Sequence, residues 1–152
     1  MFSKVTLLES CANPFNYVVN VLSPYYIKMC WKELAITLAT LLVFDACYFT
    51  ATREMLAVQI ASVQRVAVQM RMIGAIVCYL LLTVGLWYFI LRERRSPWEA
   101  MLLGMVIYGV FDSTNYTIFK KWTWQTAVMD TLWGGALFAM TTLVVYRFSP
   151  RK

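Results

Sequence analysis

Three carboxylates stand where a carboxylate is costly. Asp45, Asp112 and Asp130 are each the single charged residue of a long apolar run, residues 34–52, 100–119 and 125–146, with 19, 20 and 22 residues respectively. An ionised carboxyl group at membrane depth costs about 2.5–3.5 kcal/mol on insertion scales, so it needs partners. Carboxylates in that setting can hydrogen-bond helices together, relay protons or cations, line a pocket for a small solute, or ligate a hard metal ion through oxygen. A hydrolytic acid pair would need a nucleophile or a glycine-rich phosphate loop, and none accompanies them. The sequence contains no histidine, which removes Ser-His-Asp and Cys-His catalysis, histidine proton shuttling and imidazole metal sites. No catalytic residue, no metal ligand set and no cofactor is expected.

The elements that carry these acids follow from composition. Hydrophobic residues make up 61% of the 152 and charged residues 14%, with a mean hydropathy of +0.60; a soluble domain is about 45–50% apolar and about 25% charged. A chain this small cannot hide that much apolar surface in its own interior. Besides the three acid-bearing runs, residues 73–91 form a 19-residue run with no charge at all. Each run meets the roughly 20 residues needed to cross a ~30 Å hydrocarbon core, and without water to satisfy the backbone each must be helical. The expected fold is an all-α, polytopic four-helix bundle in a lipid bilayer, residues 34–152, preceded by an amphipathic interfacial segment, residues 1–33. In that segment Asn13, Pro14, Asn16, Asn20 and Pro24 interrupt each apolar run before it reaches the length of a signal-peptide core. Phe15, Tyr17, Val18, Val21, Leu22, Tyr25 and Tyr26 give it an aromatic, membrane-surface character.

The connection 53–72 contains neither Pro nor Gly and reads as an interfacial helix or a helical extension of the second span. The connections 92–99 and 120–124 are short, which makes successive spans antiparallel neighbours. The net charge of +6 sits at span ends, as headgroup-facing charges do, and is not expected to mark nucleic-acid binding. Nine Lys and Arg flank the side shared by both termini and five the opposite side, which favours cytoplasmic termini. Cys47 and Cys78 lie in apolar runs as small hydrophobes, and Cys11 with Cys30 could pair without any spacing that demands it.

Threading the spans brings the acids to one level. Asp45 lies seven residues before Thr52, Asp112 seven before Phe119 and Asp130 five after Gln125. At 1.5 Å per residue all three sit about 7–11 Å below the same face, whichever way the bundle is oriented. Tyr108, Asp112 and Asn115 share one helical stripe, as do Thr126, Asp130 and Trp133, and Tyr48 stands one turn beyond Asp45. The acids are expected to be neutral, bonded to such hydroxyl, amide and indole groups, or met by Arg53, Lys120 or Lys121 from the rim. Small residues at four-residue spacing, Ala35 with Ala39 and Thr131, Gly135 with Ala139, are expected to allow close helix packing. Self-association is the alternative use of those faces.

The stretch Tyr108-Gly109-x-Phe111-Asp112-x-Thr114-Asn115, then Trp122, then Thr126-x-x-x-Asp130-x-x-Trp133-Gly134, resembles the membrane-protein family catalogued as domain of unknown function 2177. Upstream, Asp45, Tyr79-Leu80-Leu81 and Gly85 extend the match, so that the resemblance covers residues 35–146. Two positions depart from the family pattern: Leu82 stands in place of a second Tyr and Thr123 in place of a frequent Pro. The resemblance implies a four-span membrane protein without an established activity, with relatives in bacteria and some large DNA viruses. It also implies that Asp45, Asp112, Asn115 and Asp130 belong to a family pattern. The function expected is that of a non-enzymatic, structural membrane component, packing with itself or with other membrane proteins in a larger assembly such as a virion's inner membrane. The rival is a small proton-coupled transporter or carrier using the aspartates.

Overall fold

The computed structural model describes residues 24–64 and 71–149. Among these the chain forms helices α1, Pro24–Gln64; α2, Met72–Leu86; α3, Pro97–Ile118; and α4, Trp124–Phe148. No strand occurs among the described residues. The expected all-α membrane bundle is what forms. Leu34–Lys152 is a compact unit that holds all three aspartates. The residues expected to line the membrane surface, from Phe15 to Tyr26, and the Cys11–Cys30 pairing lie outside the described residues or their side chains.

The helix-start signals are local and chemical. Ser96 caps α3: its hydroxyl accepts from the Glu99 N–H at 3.3 Å while its own N–H donates to Glu99 Oε2 at 2.8 Å. Pro97 takes the first helical position, where its missing N–H has no consequence. Thr123 caps α4 by accepting from the Thr126 N–H at 3.3 Å. α2 runs without a break into a π-helical turn, Trp87–Leu91, and the following Arg94 turns the chain in the left-handed region at φ 55°. That turn is held against the far end of α4. The Tyr146 hydroxyl donates to the Arg95 carbonyl at 2.7 Å, the Arg94 guanidinium lies 4.7 Å from the Tyr146 ring centroid, and Arg94 Nη2 donates to the Ser149 carbonyl.

The first helix is longer than its apolar run. With no Pro or Gly between Arg53 and Gln64, nothing stops it at Thr52, and it continues to Gln64 as one 41-residue element. The connection thus extends the first helix rather than the second. α1, the α2 region and α4 are long and apolar enough to cross a membrane. α3, with 22 residues, reaches about 33 Å at 1.5 Å per residue; Ser113, Thr114, Asn115 and Thr117 lower its apolarity near one end. Leu41, Leu82, Leu86, Leu137, Phe138 and Val145 form a common apolar core. The outward faces carry exposed Ile73, Ile76, Leu80, Leu81, Leu102, Val106, Leu132 and Leu143, the surface a bilayer solvates.

Close approach of α3 and α4 depends on glycine. A Cβ on Gly104 would run into the Gly134 carbonyl oxygen, and one on Gly134 into the Tyr108 ring. A Cβ on Gly135 would stand 2.6 Å from Met105 Cγ, and one on Gly109 3.3 Å from Thr131 Cγ2. The small-residue pattern at Thr131 and Gly135 therefore does lie at a helix contact, and Ala139 is half-buried beside it. Ala35 and Ala39 are exposed and pack against no neighbouring helix among the described residues. The inward face of α1 is set instead by Thr37, Leu41, Asp45 and Tyr48, all buried, and a two-residue offset on a helix points to the opposite side.

Candidate functional site

The buried residues of α1 recur at helical spacing through Thr37, Leu41, Asp45 and Tyr48, then Leu56 and Gln59, so one stripe of the helix is buried from Thr37 to Gln59. That stripe presents an acid and a phenol, one turn apart, to α4. α4 answers with an acid and an indole at the same spacing, Asp130 and Trp133. The Trp133 Nε1–H donates to Asp45 Oδ1 at 2.8 Å, and the Tyr48 hydroxyl donates to Asp130 Oδ1 at 2.6 Å. Between the two bonds the Tyr48 and Trp133 rings stack, centroids 4.5 Å apart and planes 6° from parallel. Each helix thus gives one acceptor and one aromatic donor. Intramembrane hydrogen bonds contribute about 0.6–2 kcal/mol apiece and a stacked aromatic pair about 0.5–1.5 kcal/mol.

Tyr79 of α2 and Tyr108 of α3 stand beside the Asp45 carboxyl. Tyr108 reaches that position because Gly134 leaves room for its ring. Helices α1 to α4 therefore all contribute to the surroundings of one acid. Asp130 is close enough to both Asp45 and Asp112 for its charge to act on them, which makes it the middle member of the cluster. Asp45, Asp112 and Asp130 are also all the aspartates in the sequence. Among the described residues none of them forms an ion pair, and Arg53, Lys120 and Lys121 are exposed rather than reaching in from the rim.

Asp112 departs from expectation. It is 1% exposed, yet neither carboxyl oxygen has a hydrogen-bond partner. Tyr108 and Asn115, its stripe neighbours, do not bond to it. Tyr108 turns toward Asp45, and Asn115 is half-buried with its backbone carbonyl accepting from Phe119. The group beside the Asp112 carboxyl is the buried indole N–H of Trp122, which faces the carboxyl without closing a hydrogen bond of normal geometry.

A second polar group lies at the start of α4. Thr126, buried, bonds its hydroxyl to that of Thr123 at 2.8 Å and approaches Gln59 Oε1 at 3.4 Å. Gln59 Nε2 donates to the Lys121 carbonyl at 2.7 Å. Thr126 was expected within the aspartate cluster; it stands one turn above Asp130 and bonds outward to Gln59. Gln59 lies in the connection that reads from sequence as an interfacial helix or an extension of the second span, which hides its place at this site. The signal was there: it follows Asp45 by 14 residues, nearly four helical turns and hence the same face. Glu54, Gln59, Thr123, Gln125 and Thr126 line an open cleft of about 550 Å³ at this end. Among the described residues no three His, Cys, Asp or Glu side chains are grouped to hold a metal ion.

An all-helical bundle with apolar outer faces and acids turned inward defines a polytopic integral membrane protein. The family model described as "Predicted membrane protein (DUF2177)" matches residues 30–147, and the chain belongs to that family. Comparison with curated proteins and with solved structures gives no match.

Proposed function

We propose that the protein is a non-enzymatic structural component of a larger membrane assembly, packed with copies of itself or with other membrane proteins. A virion's inner membrane is one setting for such an assembly, and both termini are proposed to lie on the cytoplasmic side. One observation carries this reading: two of the three aspartates are engaged in reciprocal bonds between α1 and α4, Trp133 to Asp45 and Tyr48 to Asp130. Acids used in this way fix helix register and leave a rigid block with lipid- or partner-facing apolar sides. The absence of histidine from the sequence accords with a role that involves no general acid–base catalysis near neutral pH.

The test is assembly. Asp45→Asn keeps the shape of the acceptor for Trp133, whereas Asp45→Leu leaves the indole N–H without one. In lipid nanodiscs or native-membrane extracts, the Asn variant should retain the oligomers or complexes of the wild type, and the Leu variant should lose them or show weakened packing. Equal behaviour of Leu and wild type would reject the structural reading. A second reading, a small proton-coupled carrier, is favoured by the unpartnered carboxyl group of Asp112. Asp112→Asn would abolish its activity while sparing folding.

A further inference from the structure

The three acids are not equivalent. Asp45 and Asp130 each accept a bond from an aromatic donor on the other helix. Asp112, 1% exposed, accepts no hydrogen bond of normal geometry on either oxygen, and the one donor facing it is the Trp122 indole N–H. A buried carboxylate with no cation and a single loosely placed donor recovers little of the hydration it loses. Packing alone would be better served by an apolar residue of similar size at this position.

We propose that Asp112 is the proton-binding site of the bundle. Its place in the fold suits exchange. The Trp122 indole N–H faces the carboxyl without closing a hydrogen bond of normal geometry. The next residue in the chain, Thr123, lines the open cleft at the start of α4. A hydronium ion reaching the carboxylate from that side gives up one proton: its O–H bond breaks, an O–H bond forms on Asp112, and a neutral water remains. The reverse step needs only water. The titratable groups that sense Asp112 from the neighbouring helices are Asp130 on α4 and Tyr48 on α1. These two are bonded to each other, so Asp112 is the acid left free to exchange. The indole N–H of Trp122 is placed to donate to the carboxylate once the proton has left. A metal ion is not the occupant favoured, since no metal-binding group of side chains surrounds the position among the described residues.

The proposal deepens the carrier reading but concerns proton binding alone, so the two fail separately. The probe is dicyclohexylcarbodiimide, an apolar reagent that partitions into bilayers and reacts with protonated carboxyl groups. The full chain is reconstituted in phosphatidylcholine vesicles, treated at a series of pH values and mapped by peptide mass spectrometry. The expected adduct is on Asp112, its yield falls as the buffer is made alkaline, and Asp112→Asn removes it. An adduct on Asp45 or Asp130 with none on Asp112, no adduct on any aspartate, or an Asp112 adduct indifferent to pH would overturn the proposal. The wild-type map decides this even if the Asn variant folds poorly. Proton-driven flux across the same vesicles is measured in parallel, and its absence would count against the carrier reading only.

Discussion

Removing one oxygen atom from the α1–α4 contact tests whether the cluster binds the helices together. Tyr48→Phe keeps the ring, and with it the stack on Trp133 at 4.5 Å, but deletes the hydroxyl that donates to Asp130 Oδ1 at 2.6 Å. A bond to a carboxylate contributes about 1.5–3 kcal/mol in water-soluble proteins, while coupling between intramembrane partners averages about 0.6 and reaches about 1.7 kcal/mol. The bond here is short and half-buried, so the expected loss is about 1–2 kcal/mol. Asp130→Asn should lose about 1 kcal/mol, because the amide oxygen still accepts. The double variant should lose less than the sum, with a coupling of about 1 kcal/mol, or roughly fivefold in the unfolding equilibrium. The assay is reversible unfolding in mixed micelles titrated with denaturing detergent, followed by Trp fluorescence and helical circular dichroism. Losses that add to within about 0.3 kcal/mol would show that the two groups do not interact and would refute the reasoning.

Further outcomes follow from the packing. Gly104→Ala should destabilise the bundle by about 2–3 kcal/mol, since its Cβ would meet the backbone carbonyl of Gly134, whereas Gly85→Ala, with nothing within 4 Å of the new atom, should be neutral or stabilising by about 1 kcal/mol in the same unfolding assay. In a cysteine-free background, cysteines introduced at Gln59 and Thr126 should cross-link readily, because their side chains meet; failure would show that the first helix leaves the bundle at Thr52. Ser96→Ala should cost α3 about 1 kcal/mol by removing the cap, detectable as faster amide exchange in the first turn of the helix.

The helices and the common level of the acids were legible because both follow from length. An uncharged run of about 20 residues must cross the membrane as a helix, and a fixed rise per residue sets depth. The partners of the acids were less legible. Tyr48 and Trp133 could be placed next to the aspartates from spacing alone. That each would bond to the acid of the opposite helix depends on how far each helix is rotated about its axis, which hydrophobic spacing leaves open by a fraction of a turn. Asp112 shows the same limit: its stripe neighbours were identified, but Tyr108 turns to Asp45 instead. Ala35 and Ala39 stay exposed, since a four-residue repeat marks a face without saying whether that face meets a helix of the same chain, a second copy or lipid. Gly104, a lone glycine without a repeat, is the position with the tightest backbone contact. The first helix runs past its apolar run because helix length is set by breakers and not by the bilayer, and no Pro or Gly lies between Arg53 and Gln64.

Two aspartates tie α1 to α4, while the third accepts no hydrogen bond of normal geometry. Because the chain has three aspartates and all lie in this cluster, selective carbon-13 labelling of aspartate carboxyls reads it without interference. Solid-state NMR of the full chain in bilayers, with nitrogen-15 in the tryptophan indoles, should give three carboxyl resonances. One should show dipolar contact with the Trp133 Nε1 nitrogen, matching a donor 2.8 Å from Asp45 Oδ1, and only the resonance lost in Asp112→Asn should move with pH. The absence of the Trp133–Asp45 contact, or three resonances that shift together, would contradict the account.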